Sequence, residues 1–246
     1  MIKTAAILAA GFGSRLGELT KNKPKSFLNL GGATLIERSI NNLCYFGIEK
    51  IFIGTGYLGD DFKILTERSD CKIICVENEQ YSNSGSMHTL FKMREHLDHD
   101  FLLLEADLLY EKKAIEKLIF SPRQNIVLGS GATNSGDEVY IFTNEDLSLK
   151  SMTKNKQFAH LAYAELAGIS KISLKTADKM YKTYESQNTL RIDYEYVMCK
   201  VTKPDNFTVL KVQNLNWCEI DDTNHLERAK KLILPKIIAA DEQNYD

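Results

Sequence analysis

The sequence of 246 residues predicts an α/β fold in which a mixed, mostly parallel sheet carries helices on both faces. Apolar runs alternate along the first half of the chain with segments whose apolar residues recur at helical spacing. The first run, 4–9, is almost entirely apolar, which is typical of a strand buried on both sides. Strands that alternate with helices form parallel sheets, and ligands of such sheets bind beyond the shared C-terminal edge of the strands.

The first half of the chain repeats the strand–helix unit. Strands are predicted at 4–9, 50–55, 72–76 and 101–105, and helices at 35–46, 60–67 and 86–97. In the first of these helices, residues 35, 36, 40, 43 and 46 form one apolar face, and Gly47 follows as the expected terminator.

The pattern becomes less regular after residue 120. Strands are predicted at 125–129, 139–143, 148–153, 161–173, 207–212 and 216–220, and helices at 174–185, 193–200 and 222–240. No linker rich in Pro, Gly or Ser divides the chain. We therefore expect a single domain over 1–246.

Composition argues against several classes of protein and of binding site. The 31 basic and 33 acidic residues leave a net charge of −2, so no bulk basic surface for nucleic acid is expected. No apolar run approaches the roughly 20 residues of a membrane span. The five cysteines are odd in number and form no CxxC pair, which predicts no disulfide or zinc framework and a cytoplasmic location.

The segment 8–25 reads LAAGFGSRLGELTKNKPK and follows the first strand. Glycines at the end of a buried strand let backbone N–H groups approach phosphate oxygens, and Arg15 and Lys25 add positive charge for a triphosphate. A dinucleotide fingerprint fails because its third glycine would fall on Leu16, and no Walker lysine is present. The alternative is a purely structural turn.

The pattern LAAGxGSRL followed by Lys-Pro-Lys resembles the signature of the nucleotidyltransferase family. The resemblance implies a Rossmann-like fold of the nucleotide-diphospho-sugar transferase type and transfer of a nucleoside monophosphate to a phosphorylated acceptor. It implies that residues 1–120 bind the nucleotide, and that 121–246 bind the acceptor and end in the C-terminal helix. Arg15 and Lys25 are the implied catalytic residues, and the implied nucleotide contacts of the same loop are Leu8, Ala10, Gly11, Gly13 and Ser14.

A second motif lies between the third strand and the following helix. Gln80, Gly85 and Ser86 keep the spacing of relatives that bind a pyrimidine, with Ser in place of Thr. Amide and backbone groups there can recognise the hydrogen-bonding edge of the base. The alternative is a polar loop in which Ser86 caps the helix.

Two acidic positions end separate strands and are predicted to hold Mg²⁺. Asp107 follows the strand at 101–105, and Asp221 follows the strand at 216–220. The resemblance implies that these two carboxylates are the metal ligands, and such carboxylates suit a hard divalent cation that bridges phosphate oxygens. The roles of Glu105 and Glu219 stay open, and the five histidines show no zinc spacing.

The acceptor is expected to contact the second half. Lys154 stands where relatives place a lysine that faces the acceptor phosphate, and Lys156 is a competitor. Asp193, Tyr194 and Glu195 offer acids and an aromatic ring for an acceptor wall, with a solvated helix start as the alternative.

Within the family, the short length and the Cys-Glu-Ile-Asp stretch resemble the small cytidylyltransferases. The expected reaction joins CTP and 2-aminoethylphosphonate, with Mg²⁺, to CMP-2-aminoethylphosphonate and pyrophosphate. The alternatives are choline phosphate or a sugar 1-phosphate as acceptor, and outside enzymes a nucleotide-sensing module or an interaction protein. Nucleic acid and membranes are not expected partners, and assembly as a homodimer stays open.

Overall fold

The computed structural model describes residues 2–67, 70–201 and 206–245. Its strands are β1 (Thr4–Ala9), β2 (Asn29–Leu30), β3 (Ala33–Thr34), β4 (Lys50–Thr55), β5 (Lys72–Glu77), β6 (Phe101–Glu105), β7 (Leu108–Tyr110), β8 (Ile126–Ser130), β9 (Tyr140–Thr143), β10 (Leu149–Thr153), β11 (Ala164–Ile172), β12 (Thr208–Val212) and β13 (Trp217–Glu219). Its α-helices are α1 (Leu35–Tyr45), α2 (Ser86–Lys92), α3 (Lys113–Ile119), α4 (Leu174–Glu185), α5 (Tyr194–Met198), α6 (Thr223–Arg228) and α7 (Leu234–Tyr245). Short 3₁₀-helical segments occupy Ser14–Leu19, Lys25–Phe27, Gly59–Glu67 and Lys156–Leu161.

A nine-stranded sheet forms the centre of the molecule. β1 pairs in parallel with β4 on one side and with β6 on the other, and β5 extends the parallel part beyond β4. β11 runs antiparallel to β6 and joins the strands of the second half to the sheet. Outside this sheet, β7 and β13 form a small antiparallel ribbon beside the C-terminal edge of β6.

Helices cover both faces of this sheet, as predicted. Ala5 and Ile7 of β1 pack into one buried cluster with the apolar face of α1, whereas Ala6 faces the other cluster with residues of α2 and α4. The alternation along β1 follows from the twofold periodicity of a strand. The predicted sheet with helices on both faces is confirmed.

Several predicted elements differ in extent. The predicted helix at 60–67 is a 3₁₀ helix, and the helix predicted at 86–97 ends at Lys92. The strand predicted at 161–173 begins only at Ala164, because a 3₁₀ turn precedes it. The helix α3 and the short strands β2, β3 and β7 were not predicted, because elements this short show too few repeats of their period.

The predicted C-terminal helix continues to Tyr245. Asp222 caps its start by accepting a hydrogen bond from the His225 N–H at 2.8 Å. A π-helical turn at Ala229–Ile233 comes immediately before α7, whose second residue is Pro235. Because proline has no N–H and its ring crowds the preceding turn, local widening lets the helix continue. In the ranges that the structure describes, no helix combines the length and apolarity needed to cross a membrane.

The expectation of no disulfide is wrong for one pair. Cys44 near the end of α1 is bonded to Cys71 just before β5, with the two Cα atoms 6.1 Å apart. This Cα separation lies within the range of disulfides. The two residues are 27 positions apart and meet only because α1 packs beside the edge of the parallel strands, so their spacing carries no signal. Cys75, Cys199 and Cys218 are free.

Candidate active site

The glycine-rich loop after β1 folds back over Lys25. Gly13 adopts a φ of +63°, and a Cβ atom at this position would lie 3.0 Å from the Cβ of Lys25. The Thr20 hydroxyl donates a hydrogen bond to the Gly13 carbonyl at 2.9 Å and fixes the return of the chain. Glycine is required at position 13 because of both its conformation and this close approach.

The Lys25 ammonium lies between the two acids predicted to hold metal. Its Nζ atom is 2.6 Å from Asp107 Oδ2 and 2.5 Å from Asp221 Oδ1. Arg15 adds a second cation, with Nη2 2.8 Å from the same Asp221 oxygen. The ribbon of β7 and β13 brings the two acids together, because the Ile220 N–H donates to the Asp107 carbonyl at 3.1 Å.

These contacts keep the Lys25 ammonium and the Asp221 carboxylate charged at neutral pH. Burial alone would lower the pKa of the Lys25 ammonium, but Asp107 and Asp221 outweigh it and raise that pKa well above its ordinary value. Burial alone would raise the pKa of Asp221, but hydrogen bonding with Asp137 and the charge of Lys25 lower it well below the usual range. The site therefore holds a fixed arrangement of ionised groups.

A second set of acids lies on the other side of Asp107. Carboxylate oxygens of Glu105, Asp107 and Glu219 all lie within 4.8 Å of one another. Burial, followed by the charge of Asp107, raises the pKa of Glu105 to about 8 and that of Glu219 to about 11. Among the described residues, the buried Asp107 Oδ1 atom has no hydrogen-bond partner. Three oxygen donors and an unpartnered carboxylate oxygen fit a hard divalent cation.

Asp221 belongs to a separate acidic group. It lies with Asp137 and His225, whose ligand atoms also fall within 4.8 Å of one another. The structure thus joins Asp107 and Asp221 through Lys25. Glu219 lies beside Asp107, and Asp137 lies beside Asp221. The Glu219 position two residues before Asp221 was a usable sequence signal, whereas nothing in the sequence pointed to Asp137.

Most of the predicted nucleotide contacts line two adjoining cavities. The larger, of about 560 Å³, is lined by the predicted residues Leu8, Ala10, Gly11, Arg15, Gly85 and Ser86. The smaller, of about 370 Å³, is lined by Leu8, Gly11, Gly13, Ser14, Arg15 and Lys25. Asp107 and Asp221 line both cavities, so the acidic groups lie where the two meet.

Gln80 is exposed and lines neither cavity. Its backbone N–H donates to Asn78 Oδ1 at 3.0 Å in a turn that presents Asn78 and Tyr81 to the larger cavity instead. Asn78 is held in turn by donating to the hydroxyls of Ser84 and Thr89, both at 3.0 Å. The side chains beside the predicted base site are therefore those of Asn78 and Tyr81.

Ser86 and Asp193 join the two halves of the larger cavity. Asp193 Oδ1 accepts hydrogen bonds from the N–H and the hydroxyl of Ser86 at 2.9 and 3.1 Å, and Ser86 Oγ accepts from the Tyr194 N–H at 3.0 Å. A Cβ atom at position 85 would lie 2.4 Å from the Ile192 carbonyl oxygen, so only glycine fits there. This contact places the predicted acceptor residues opposite the base motif.

The predicted acceptor residues divide between the cavity and the core. Lys154, Asp193 and Glu195 line the larger cavity, and so does Lys156. Tyr194 is buried and does not line it, and its hydroxyl donates to Glu105 Oε1 at 2.7 Å. Glu195 is only 4% exposed, and burial followed by the charge of Asp193 raises its pKa to about 7. This end of the cavity thus holds a buried carboxyl poised between its two protonation states.

Comparison with known proteins finds similar sequences over much of the chain. Residues 5–154 match the model of the MobA-like NTP transferase domain. The CTP:phosphoglutamine cytidylyltransferase of Campylobacter jejuni is 27% identical over 249 residues, which cover 91% of this chain and 97% of that protein. The 2-aminoethylphosphonate cytidylyltransferase of Lancefieldella rimae is 34% identical over 120 residues, which cover 48% of this chain and 47% of that protein.

Two further similarities concern a longer protein and a solved structure. The CMP-5'-(3-aminopropyl)phosphonate synthase of Streptomyces rubellomurinus is 31% identical over 128 residues, which cover 51% of this chain but only 20% of that protein. The inositol-1-phosphate CTP transferase of T. maritima superimposes with a TM-score of 0.82 at 21% identity, covering 100% of this chain and 98% of that one. The structural match confirms the predicted fold class.

Proposed function

The chain belongs to the family of MobA-like NTP transferase domains and is a nucleotidyltransferase, and we propose that it transfers CMP from CTP to a small phosphonate or phosphate acceptor. The favoured acceptor is 2-aminoethylphosphonate, and pyrophosphate is the second product. One observation carries the proposal: Lys25 and Arg15 meet Asp107 and Asp221 where two cavities beside the glycine-rich loop join. The names of the relatives from Campylobacter jejuni and Lancefieldella rimae support cytidine as the nucleoside.

Arg15 and Lys25 bind the triphosphate in this proposal. Attack of an acceptor oxygen on the α-phosphate needs alignment and charge stabilisation more than it needs a protein nucleophile. Backbone groups of Leu8, Ala10 and Gly11 line the cavity beside these cations and suit the ribose and base. Gly13 and Ser14 line the smaller cavity, where the leaving pyrophosphate would lie.

Asp107 and Asp221 are proposed to hold Mg²⁺, with Glu219 as an additional oxygen donor. The unpartnered Asp107 oxygen and the close approach of Asp107 to Glu219 fit such an ion, and Lys25 joins Asp221 to Asp107. When bound, Mg²⁺ offsets charge on phosphate oxygens. The Lys25 ammonium contacts both Asp107 and Asp221, so this cation and the two carboxylates already meet at one position.

The acceptor is proposed to bind between Lys154 and the two acids at the start of α5, Asp193 and Glu195. Lys154 suits the phosphonate, and the buried carboxyl of Glu195 suits an ammonium group. A primary ammonium offers three donors and prefers oxygen acceptors, whereas a quaternary ammonium needs an aromatic cage. In the described part of the chain, the only aromatic residues lining the larger cavity are Tyr81 and Trp217, which favours the primary amine over choline phosphate.

An acceptor panel with CTP and Mg²⁺, scored by pyrophosphate release, tests the proposal. We expect 2-aminoethylphosphonate to react best and successive N-methylation to lower kcat/KM stepwise, because each methyl group removes a donor. We expect CTP to exceed UTP, ATP and GTP by at least about tenfold, which corresponds to roughly 1.4 kcal/mol. Best turnover of the trimethylated acceptor would establish choline phosphate instead, and equal use of a purine triphosphate would exclude a cytidylyltransferase.

A further inference from the structure

The segment 133–138 forms one wall of the larger cavity and has an unusual backbone. Five of its residues line the cavity: Thr133, Ser135, Gly136, Asp137 and Glu138. Asn134 has a φ of 53° and Gly136 a φ of 110°, so two residues of this short stretch occupy the left-handed half of conformational space. Glycine adopts a positive φ freely, whereas the left-handed conformation of Asn134 is uncommon for a residue with a Cβ atom.

Two side chains of α6 hold this segment by its carbonyl groups. Arg228 Nη2 donates to the Thr133 carbonyl at 2.7 Å, and His225 Nε2 lies 3.1 Å from the Ser135 carbonyl. His225 Nδ1 accepts from the Asp221 N–H at 3.3 Å, so Nε2 carries the hydrogen and is the donor. Residues three apart on a helix share a face, and here that face meets carbonyls two residues apart.

The segment is also fixed on its other side and reaches the acidic site. The Thr133 N–H donates to Glu165 Oε2 on β11 at 2.7 Å. Asp137 contacts the carboxyl of Asp221, and a Cβ at Gly136 would lie 4.0 Å from Lys156 Nζ. The tethered wall therefore reaches from Lys156 in the second half to Asp221, which pairs with Arg15 and Lys25.

We propose that His225 and Arg228 are positioning residues for the acceptor. Through two backbone carbonyls, they hold segment 133–138 as a fixed wall of the larger cavity, which Arg228 also lines, so that α6 sets acceptor affinity through the backbone of that wall. Arg228 holds the wall through Thr133, whereas His225 also accepts from the Asp221 N–H, so only Arg228→Leu tests the wall apart from the nucleotide site. The inference rests on the proposed function for its kinetic part, because it assigns this wall to the acceptor.

Hydrogen–deuterium exchange and kinetics of Arg228→Leu and His225→Leu test the proposal. Loss of one buried hydrogen bond should speed exchange of segment 133–138 about tenfold and raise the acceptor KM, measured with 2-aminoethylphosphonate, about tenfold. In Arg228→Leu, the KM for CTP should stay within about twofold, since the lost hydrogen bond runs to Thr133 of the wall and not to Asp221. Arg228→Lys keeps a donor and should recover part of the loss. Lys231→Leu, which removes an exposed cation from the next turn, is the matched control and should change neither measurement.

Three outcomes would overturn the inference. One is unchanged exchange in segment 133–138 of both leucine variants, and another is an equal rise of the two KM values in Arg228→Leu. A third is a loss in Arg228→Lys as large as that in Arg228→Leu. If the unaltered protein turns over no acceptor of the panel, the proposed function fails instead, and the exchange experiment still decides whether α6 holds the wall.

Discussion

Buried carboxyl groups at the two ends of the active-site cleft have pKa values that are shifted in opposite directions. At the end near the glycine-rich loop, Lys25 lies between Asp107 and Asp221, and the pKa of Asp221 is lowered. At the acceptor end, burial and a neighbouring acid raise the pKa of Glu195 to about 7. Glu219 is two residues from Asp221, yet burial and Asp107 raise its pKa to about 11.

The comparison shows that the spatial partner of a carboxyl group, and not its place in the chain, decides its charge. Asp221 has a cation within hydrogen-bond distance, whereas the pKa of Glu219 is raised by its burial and then by the acids around it. One end therefore presents fixed cations, which suit the anionic triphosphate that we propose for it. The other end favours a ligand that brings positive charge to its acids.

Removing the cation from the first end should have the largest effect. We expect Lys25→Ala to lower kcat/KM by about 10³ or more, because the transition-state charge on the phosphates loses its nearest fixed cation. Steady-state kinetics measure this loss, and circular dichroism checks the fold. Lys23→Ala, which changes an exposed lysine in the same loop, is the control. Near-normal kcat/KM in Lys25→Ala with reduced thermal stability would make Lys25 a structural residue.

Removing an acid from the first end should have the next largest effect. Asp107→Asn is expected to lower turnover by about 10² and to weaken the stabilisation that Mg²⁺ gives against thermal unfolding, since ligand binding stabilises the folded state. Mg²⁺ titrations followed by thermal melting measure the second effect independently of turnover. An Asp107→Asn protein that turns over normally would show that the metal is held elsewhere.

The acceptor end should show a dependence on pH that the first end lacks. With an amine acceptor, kcat/KM should rise as pH passes through about 7, because the free enzyme binds the ammonium only with Glu195 ionised. Glu195→Gln should lose this rise and should be about tenfold slower at pH 8. Comparison of the two pH profiles with the same acceptor cancels ionisation of the phosphonate. Identical profiles would remove Glu195 from acceptor binding.

The same variant makes a prediction for stability. The folded pKa of Glu195, about 7, lies above its ordinary value of 4.5, so the folded state binds this proton more tightly than the unfolded state. The stabilisation is complete below pH 4.5 and is lost as pH rises through 7. Thermal melts should therefore show Glu195→Gln gaining on the unaltered protein between pH 5 and pH 8, and a constant difference would contradict the raised pKa.

The smallest effect is expected at Gln80. Its side chain is exposed and lines neither cavity, so Gln80→Ala should change the preference for CTP over UTP by less than about twofold, as exposed substitutions usually do. Tyr81→Ala, at the adjoining position that does line the cavity, is the comparison variant. A large loss of CTP preference in Gln80→Ala alone would restore the base contact that the signature implies.

The parallel part of the sheet and the chemistry at its edge were predictable from local sequence signals. The strands β1, β4, β5 and β6 could be located because periodicity and apolar runs are properties of neighbouring residues. Lys25 could be chosen because the signature at 8–25 is contiguous, and Asp107 and Asp221 because they resemble the metal-binding acids of the family at the ends of two strands. Their actual meeting, across 82 and 196 residues of chain, depends on the ribbon of β7 and β13, which lies outside the main sheet.

Groups that depend on irregular segments are brought together only by packing. Asp137 reaches Asp221 through a loop with two left-handed residues, and Cys44 meets Cys71 across the packing of a helix on a strand edge. Gln80 turns outward because the turn after β5 uses its N–H to bind Asn78. None of these contacts has a period or a fixed spacing, since each arises where separate elements pack. Long-range packing therefore determines which residues become neighbours, and these neighbours determine which carboxyl groups are charged.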